Sequence, residues 1–367
     1  MILNRIIIYI LVGFMALGAL DKVFGNKLGL GKKFDEGFMA MGSLAVAMLG
    51  MISFAPVLAR WLAPPINFIY QLVGADPAMF AGTFLANDMG GYHLALKLAI
   101  NPDAGLFAGL IVGSMMGATL VFTIPVALGI IDKSDHRFLA LGILSGMITI
   151  PIGAFFAGIF SGFNINMILI NLIPVLIIAL LIALGLWKYS EMMIKGFGYF
   201  GKFIIAVVTL SAAVIIIETL TGIVIIPGLA PISESLKIIG AITIILVGAY
   251  PMVYVITTVF KKYLLAFGKK LNINDKAAAG LITSLANNIP MFGMFKEMDD
   301  RGKVINVAFA VSAAFVLGDH LGFTASVNSG MILPVIAGKL IGGLTAVIVA
   351  GFVYDKIYLK KGNKSLE

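Results

Sequence analysis

Leu85-Ala86-Asn87-Asp88-Met89-Gly90-Gly91 and, 200 residues further on, Leu285-Ala286-Asn287-Asn288-Ile289-Pro290-Met291 interrupt the apolar sequence in the same way. Each sets amides or a carboxylate beside helix-breaking residues inside an otherwise apolar run. In hydrocarbon every backbone N–H and C=O needs a partner, so an interrupted helix survives only against protein or a wet cavity. The surrounding segments, 66–100 and 264–300, are too broken by Gly, Pro, Asn and charge to be clean spans. We read each as a hairpin that enters and leaves on one side, or as two short broken helices.

Outward from these breaks the chain is a series of long apolar runs. It has 367 residues, 60% of them hydrophobic and 12% charged, with a mean hydropathy of +1.06. Soluble domains carry about 25% charged residues. Membrane segments are expected near 4–25, 37–59, 105–130, 138–163, 165–187, 203–225, 238–258, 304–320 and 330–354. The run near Ile6 to Leu20 lacks a small-residue cleavage pattern after it, so it reads as a mature helix and not a secretory signal. The fold class is therefore an all-α polytopic membrane protein of about nine full spans plus two broken or re-entrant hairpins.

The net charge of +8 would suggest a nucleic-acid partner on a soluble protein. Here its distribution gives another reading. With the hairpins counted as even numbers of crossings, loops 26–36, 131–137, 188–202, 259–276 and 295–303 and the tail 355–367 share one side. That side, with Lys22 at a helix end, holds 21 of the 26 basic residues. Arg5, Arg60, Lys97, Lys237 and Lys339 fall elsewhere. Cytoplasmic loops collect Lys and Arg, which places the N-terminus outside and the C-terminus in the cytoplasm.

An internal repeat is also legible. Gly42, Gly50 and Gly82 recur as Gly240, Gly248 and Gly280 at a spacing of 198, followed by the Leu-Ala-Asn break at a spacing of 200. Gly117 falls near Gly318, and Asp21 beside the position equivalent to Glu218. Residues 1–163 then form a first membrane repeat with hairpin 66–100. Residues 164–197 are a linker helix and cytoplasmic loop, 198–354 a second repeat with hairpin 264–300, and 355–367 a basic cytoplasmic tail. Four crossings and one linker make the second repeat inverted. Inverted repeats with broken helices characterise secondary transporters, whose substrate sites lie near the midplane.

The polar residues at the breaks carry the chemistry. An intramembrane carboxylate is costly, about 2.5–3.5 kcal/mol on insertion scales, and so marks function by default. Asp88 is the first candidate, with His93 or Lys97 further along the segment to balance it. Asn87, Asn287 and Asn288 either cap half-helices or bind a polar solute. Asp319-His320, within Leu317-Gly318-Asp319-His320-Leu321-Gly322-Phe323, suits a cation site or proton relay, or is a polar turn at a helix end. Glu218, Asp21 and His93 are coupling or relay candidates, although Asp21 beside Lys22 can also snorkel. Phe80, Phe84, Tyr92, Phe292 and Phe323 flank the breaks, where an aromatic face could hold an ammonium or simply pack. Gly105, Gly109, Gly113 and Gly117 form a stripe for close helix packing, with helix sliding as the alternative; Gly338 and Gly342 echo it.

Several chemistries are excluded. With no cysteine there is no disulfide, thiolate metal site or cysteine nucleophile. Three histidines without cysteine give no credible metal cluster. No GxxxxGK[ST] loop or GxSxG element occurs, which argues against ATP-driven pumping and serine hydrolysis. No cofactor is expected.

Phe34-Asp35-Glu36-Gly37-Phe38-Met39-Ala40-Met41-Gly42, the Leu85 to Gly91 break and Gly113-Ser114-Met115-Met116-Gly117 resemble the EutH family. So do Leu285 to Gly293, Met298-Asp299-Asp300-Arg301-Gly302-Lys303-Val304-Ile305-Asn306 and Leu317 to Phe323. These are the ethanolamine permeases of bacterial ethanolamine-utilisation operons. The resemblance covers nearly the whole chain, as a shorter member with compact loops near 26–36, 163–165 and 226–237. It implies ethanolamine uptake through the bacterial cytoplasmic membrane. It supplies no list of binding residues.

The resulting expectation is a secondary carrier or facilitator working by alternating access. Asp88 takes the ammonium, Asn87, Asn287 and Asn288 assist, and Asp319 with His320 forms a second acidic site lined by Phe323 and Tyr92. A channel-like pore is the alternative, and an intramembrane enzyme or sensor a third reading without a supporting constellation. Na⁺ coupling, H⁺ coupling and no coupling all fit, and the glycine stripes permit a homo-oligomer without requiring one.

Overall fold

The computed structural model describes residues 2–259 and 261–359. Among these every regular element is helical. Seven helices are long and apolar enough to cross a membrane: Asn4–Val23, Ala45–Gln71, Pro102–Ile130, Lys133–Phe160, Ile165–Thr221, Ile232–Val259 and Ser329–Ile357. Their outward faces carry Leu181, Leu184, Leu220 and Ile348, all more than half exposed. So much exposed aliphatic surface suits hydrocarbon and not water. The chain is a multi-pass membrane protein.

Seven such helices stand where the sequence suggests nine spans, and two local events account for the difference. The segments 165–187 and 203–225 are joined in one helix, Ile165–Thr221, and most of the expected loop 188–202 is helical. Its 57 residues are nearly three times the ~20 that a ~30 Å hydrocarbon core accommodates at ~1.5 Å per residue. The helix breaks its geometry at Tyr189 (φ −134°, ψ 44°), and a Cβ added to Gly185 would lie 2.8 Å from Met193 Sδ. The chain therefore bends sharply there.

The second event is at 304–320. Helix Asp300–Ala313 stops, residues 314–318 unwind, and a new helix runs Asp319–Val327. Neither half is long enough to cross alone. The freed amides are not lost. Phe315 N donates to Ser284 O at 2.9 Å and Leu317 N to Leu285 O at 2.8 Å. The unwound backbone is thus completed by the second hairpin's own break, a partner some 30 residues away that local periodicity does not reveal.

Both hairpins exist, with shifted starts. Helix Leu30–Gln71 runs through Pro56, Pro64 and Pro65, so residues 66–71 belong to it. Proline removes a helical hydrogen bond, but Ile66 and Tyr70 beyond it are buried in the core and hold the last turns in place. The first hairpin begins at Asp76. Its carboxylate accepts from Ala78 N (2.9 Å) at the entry and from Ile100 N (3.0 Å) and Asn101 N (2.8 Å) at the exit. Entry and exit are therefore adjacent. The second hairpin follows a separate short helix, Lys261–Lys270. Its ends are clasped by Asp299, which accepts from Asn274 N at 2.7 Å, while Asn274 Nδ2 donates to Glu297 O at 2.9 Å.

The basic loops gather at one end of the bundle. Lys296 pairs with Asp132 at 3.6 Å and Lys303 with Asp135 at 2.8 Å. Arg301 pairs with Asp355 and donates from Nε to Leu271 O. Arg137, Trp187, Ser190 and Ile357 line one cleft. Asp76 N instead bonds Asn171 Oδ1 at 2.7 Å, near the start of the long helix and about 25–30 Å from its bend. The two hairpin bases thus lie at opposite ends. Lys360, Lys361 and Lys364, in the basic tail, lie outside the described residues.

Glycine sets the approach of the hairpins to their neighbours. The stripe Gly105, Gly109, Gly113 and Gly117 meets Ala99, Tyr92, Asn87 and Leu85 in turn, and so is packed along the first hairpin. A Cβ at Gly117 would lie 2.0 Å from Leu85 O, and one at Gly318 2.1 Å from Ala286 O. Gly42 has open space. Gly117→Ala and Gly318→Ala should each lose stability by about 3 kcal/mol or more, because backbone, not a side chain, blocks the methyl. Gly42→Ala should be neutral. Thermal unfolding of the detergent-solubilised variants, followed by size-exclusion profile, checks this.

Candidate functional site

The first break does more than turn the chain. Leu85 and Ala86 are extended, and the backbone then passes through Met89 (ψ 36°) and Gly90 (φ 86°) before helix Tyr92–Leu98 starts. Gly90 takes a left-handed conformation that a side chain disfavours. It also lies against Met51 of the long second helix, where an added Cβ would come within 2.4 Å of the Met51 Cβ. This turn presents Asp88, whose carboxyl accepts from the amides of Asp88 and Met89. Asn87 just before it is fully buried, and neither amide atom has a hydrogen-bond partner among the described residues.

The unwound segment 314–318 brings the second set of groups to the same place. Phe323, on the helix that restarts at Asp319, meets Tyr92 edge-to-face with centroids 5.6 Å apart and His93 at 6.3 Å. Asp319 interacts electrostatically with Asp88. His320 is 2% exposed and packs on Phe315 at 5.1 Å. Asp319 Oδ1, His320 Nδ1, His93 Nε2 and Thr324 Oγ1, one turn on from His320, are buried without hydrogen-bond partners. Native interiors leave few buried polar atoms unpaired. Here several of them are concentrated around two carboxylates.

Not every sequence candidate is part of it. Asn288 is fully buried, but its Nδ2 donates to Thr123 Oγ1 at 3.0 Å, on the side of the Phe122–Phe315 contact, and its Oδ1 is unpaired. It borders the cluster through Phe315. Asn287 accepts from Ile289 N at 2.8 Å and so acts as a cap for the half-helix after the break. Asp21 uses both oxygens on backbone amides: Leu28 N (2.8 Å), Leu30 N (2.8 Å) and Gly31 N (3.0 Å). That closes the 24–29 turn onto the next helix and leaves Asp21 far from the breaks in role and position. Glu218 sits in the last turn of Ile165–Thr221 with Oε2 buried and unpaired, and no described contact joins it to the other candidates.

Lys339 is the residue that motif reading passed over. It lies within Ile332–Tyr354, is 1% exposed, and donates from Nζ to Ser114 O at 2.5 Å. Ser114 belongs to the glycine-striped helix beside Asn87. Asp88 and His320 both interact electrostatically with Lys339. A lone lysine within the apolar run Ile332-Leu333-Pro334-Val335-Ile336-Ala337-Gly338-Lys339-Leu340-Ile341, outside the basic loops, was the available signal.

Comparison with known proteins places the chain within one family. The family model described as "Ethanolamine utilisation protein, EutH" matches residues 3–353. A Listeria monocytogenes protein named "Probable ethanolamine permease EutH" is 59% identical over 367 residues, covering all of this chain and 98% of that one. An Escherichia coli protein of the same name is 51% identical, with 96% of each chain covered. A Bacillus subtilis protein, "Uncharacterized protein YxeR", is 50% identical over 353 residues. No solved structure matches. A match over nearly the whole length, with relatives at half identity or more, makes this chain a member of the EutH family.

Proposed function

We propose that this protein takes up ethanolamine across the bacterial cytoplasmic membrane as a secondary carrier or facilitator. It is a transporter and not an enzyme, in keeping with the permease names of its relatives. The observation that carries the substrate reading is the electrostatic proximity of Asp88 and Asp319 where Tyr92 and Phe323 pack edge-to-face. Ethanolamine carries an ammonium and one hydroxyl. A carboxylate flanked by aromatic faces attracts the ammonium. The unpaired amide of Asn87, the imidazole of His320 and the hydroxyl of Thr324 offer donors and acceptors for the hydroxyl.

Alternating access is supported by the resemblance of the two hairpins. Asp76 clasps the first against Asn101, and Asn274 with Asp299 clasps the second, at opposite ends of the bundle. These positions keep the 198-residue spacing with acid and amide interchanged. Gly117 on Leu85 and Gly318 on Ala286 repeat one close approach. An inverted pair of units offers two equivalent ways to open around one site. A channel would need a continuous wet path, whereas Asn87, Asn288, His320 and Phe323 are buried within packed protein. Saturable counterflow exchange of labelled ethanolamine is the expected behaviour, and rapid non-saturable flux would favour the pore.

The substrate reading predicts that Asp88→Asn cuts radiolabelled ethanolamine uptake into proteoliposomes by about 100-fold, equivalent to ~2.7 kcal/mol of lost ammonium binding. Wild-type uptake in that variant would remove Asp88 from the role. Asn287→Ala should cost far less, since its amide caps a half-helix. The chain has no cysteine, so single cysteines report sidedness directly. Cysteines at Lys133, Lys276 and Lys296 should react with an impermeant maleimide only from the cytoplasmic side, and one at Lys237 only from outside. The reverse pattern would invert the proposed orientation.

A further inference from the structure

A buried lysine within electrostatic reach of Asp88 would compete with a cationic cargo for that carboxylate. Lys339 is nearly inaccessible and hydrogen-bonds the Ser114 carbonyl. Among the described residues it makes no contact-distance ion pair, although Asp88 lies within electrostatic reach. The Ser114 carbonyl, and not a carboxylate, is its hydrogen-bond partner. Burying an ammonium beside a backbone carbonyl, without a direct counter-ion, is expensive unless its charge is used.

We infer that Lys339 is a resident counter-cation that sets the site's charge so that a single ethanolammonium neutralises it without a co-transported ion. The inference rests on the ethanolamine-carrier reading above and adds its charge stoichiometry. Asp88, Asp319 and Lys339 together hold one net negative charge when His320 is uncharged. That total is the same whether a proton rests on the lysine or has passed to one carboxylate, so it does not depend on how the three share it. Without the lysine the pair of carboxylates would demand two monovalent cations. With it, one is enough. Other charged or titratable groups nearby are His93 and Tyr92 on the first hairpin and Tyr250, which interacts electrostatically with Asp319 and Glu36.

The arrangement also specifies where the balance is set. Lys339 is on Ile332–Tyr354, Asp88 on the first hairpin and Asp319 on the restarted helix, while Ser114 anchors the ammonium from a fourth element. Charge is therefore shared across elements that must move relative to one another in any alternating-access cycle. A neutral loaded site crosses the membrane interior more readily than a charged one.

The experiment is ethanolamine binding and charge counting on the full-length protein. In proteoliposomes, wild-type uptake should move one positive charge per ethanolamine and be unchanged when Na⁺ is removed or the proton gradient is collapsed at fixed membrane potential. In detergent, Asp319→Asn should weaken ethanolamine binding by about tenfold, ~1.4 kcal/mol. Adding Lys339→Met to that variant should restore most of the loss, because the net charge returns. Lys339→Met alone should acquire dependence on a second cation, Na⁺ or H⁺. A wild-type protein that carries Na⁺ or H⁺ with each ethanolamine would overturn the inference. So would a monodisperse double variant that binds no better than Asp319→Asn. If the lysine variants fail to fold, the wild-type charge count still decides. A wild type that neither binds nor moves ethanolamine would sink the carrier reading itself, a separate result.

Discussion

Phe315 and Leu317 donate their backbone N–H groups to Ser284 and Leu285, so that the unwound 314–318 backbone is completed by carbonyls in the last turn of helix Asp275–Ala286, which have no helical donor of their own. The rest of the molecule depends on this exchange. Neither break is tolerable in hydrocarbon by itself, since each leaves polar backbone without water. Together they complete one another, and the restarted helix Asp319–Val327 is fixed by that pairing with its acidic first residue beside the first hairpin. Gly318, pressed on Ala286 O, allows the approach. The first hairpin meets the same requirement differently. Its break lies along a glycine-striped helix that remains continuous, with Gly117 on Leu85 O.

The polar site is a consequence of these interruptions. A helix hides its backbone and spreads its side chains around its axis, so acidic and amide groups on intact helices would each need a separate accommodation. Where two helices unwind at one depth, side chains from their ends converge: Asp88 from one, Asp319 and His320 from the other, with Tyr92 and Phe323 in edge-to-face contact between them. Lys339 enters from a third element and is held by a carbonyl of a fourth. The electrostatic character of the site belongs to no single motif. It is the sum over elements far apart in the chain.

At the end of the bundle that carries the basic loops, a second set of charges serves structure. Lys303 and Asp135 are buried together near the rings of Phe138 and Phe295, and Arg301 reaches both Leu271 O and Asp355. These ties join the helix that breaks at Ala314 to loops from both halves of the chain. The run Met298 to Asn306 therefore acts as a clasp. Asn306 donates to Ala277 O and Gly302 O, each at 2.9 Å, and Asp299 caps the helix start through Gly302 N.

The amino-acid sequence carried the membrane character, the two interrupted segments and the family, because apolar run length, breaker residues and motifs are local properties. It also pointed to Asp88, Asn87, Asp319, His320, Tyr92 and Phe323, since a polar group in an apolar run stands out without any knowledge of its neighbours. Only the tertiary structure separated those that meet from those that do not. Asp21 and Asn287 look like site residues in one dimension, yet their acceptors are taken up by backbone amides a few residues away. Lys339 looks like a misplaced surface charge, yet it is enclosed beside Asp88. The merged helix Ile165–Thr221 and the unwound 314–318 segment were decided at the same level. Whether a helix continues or breaks inside a membrane depends on whether a distant backbone group is in position to accept its hydrogen bonds, and proximity of that kind is not a property of any one stretch of chain.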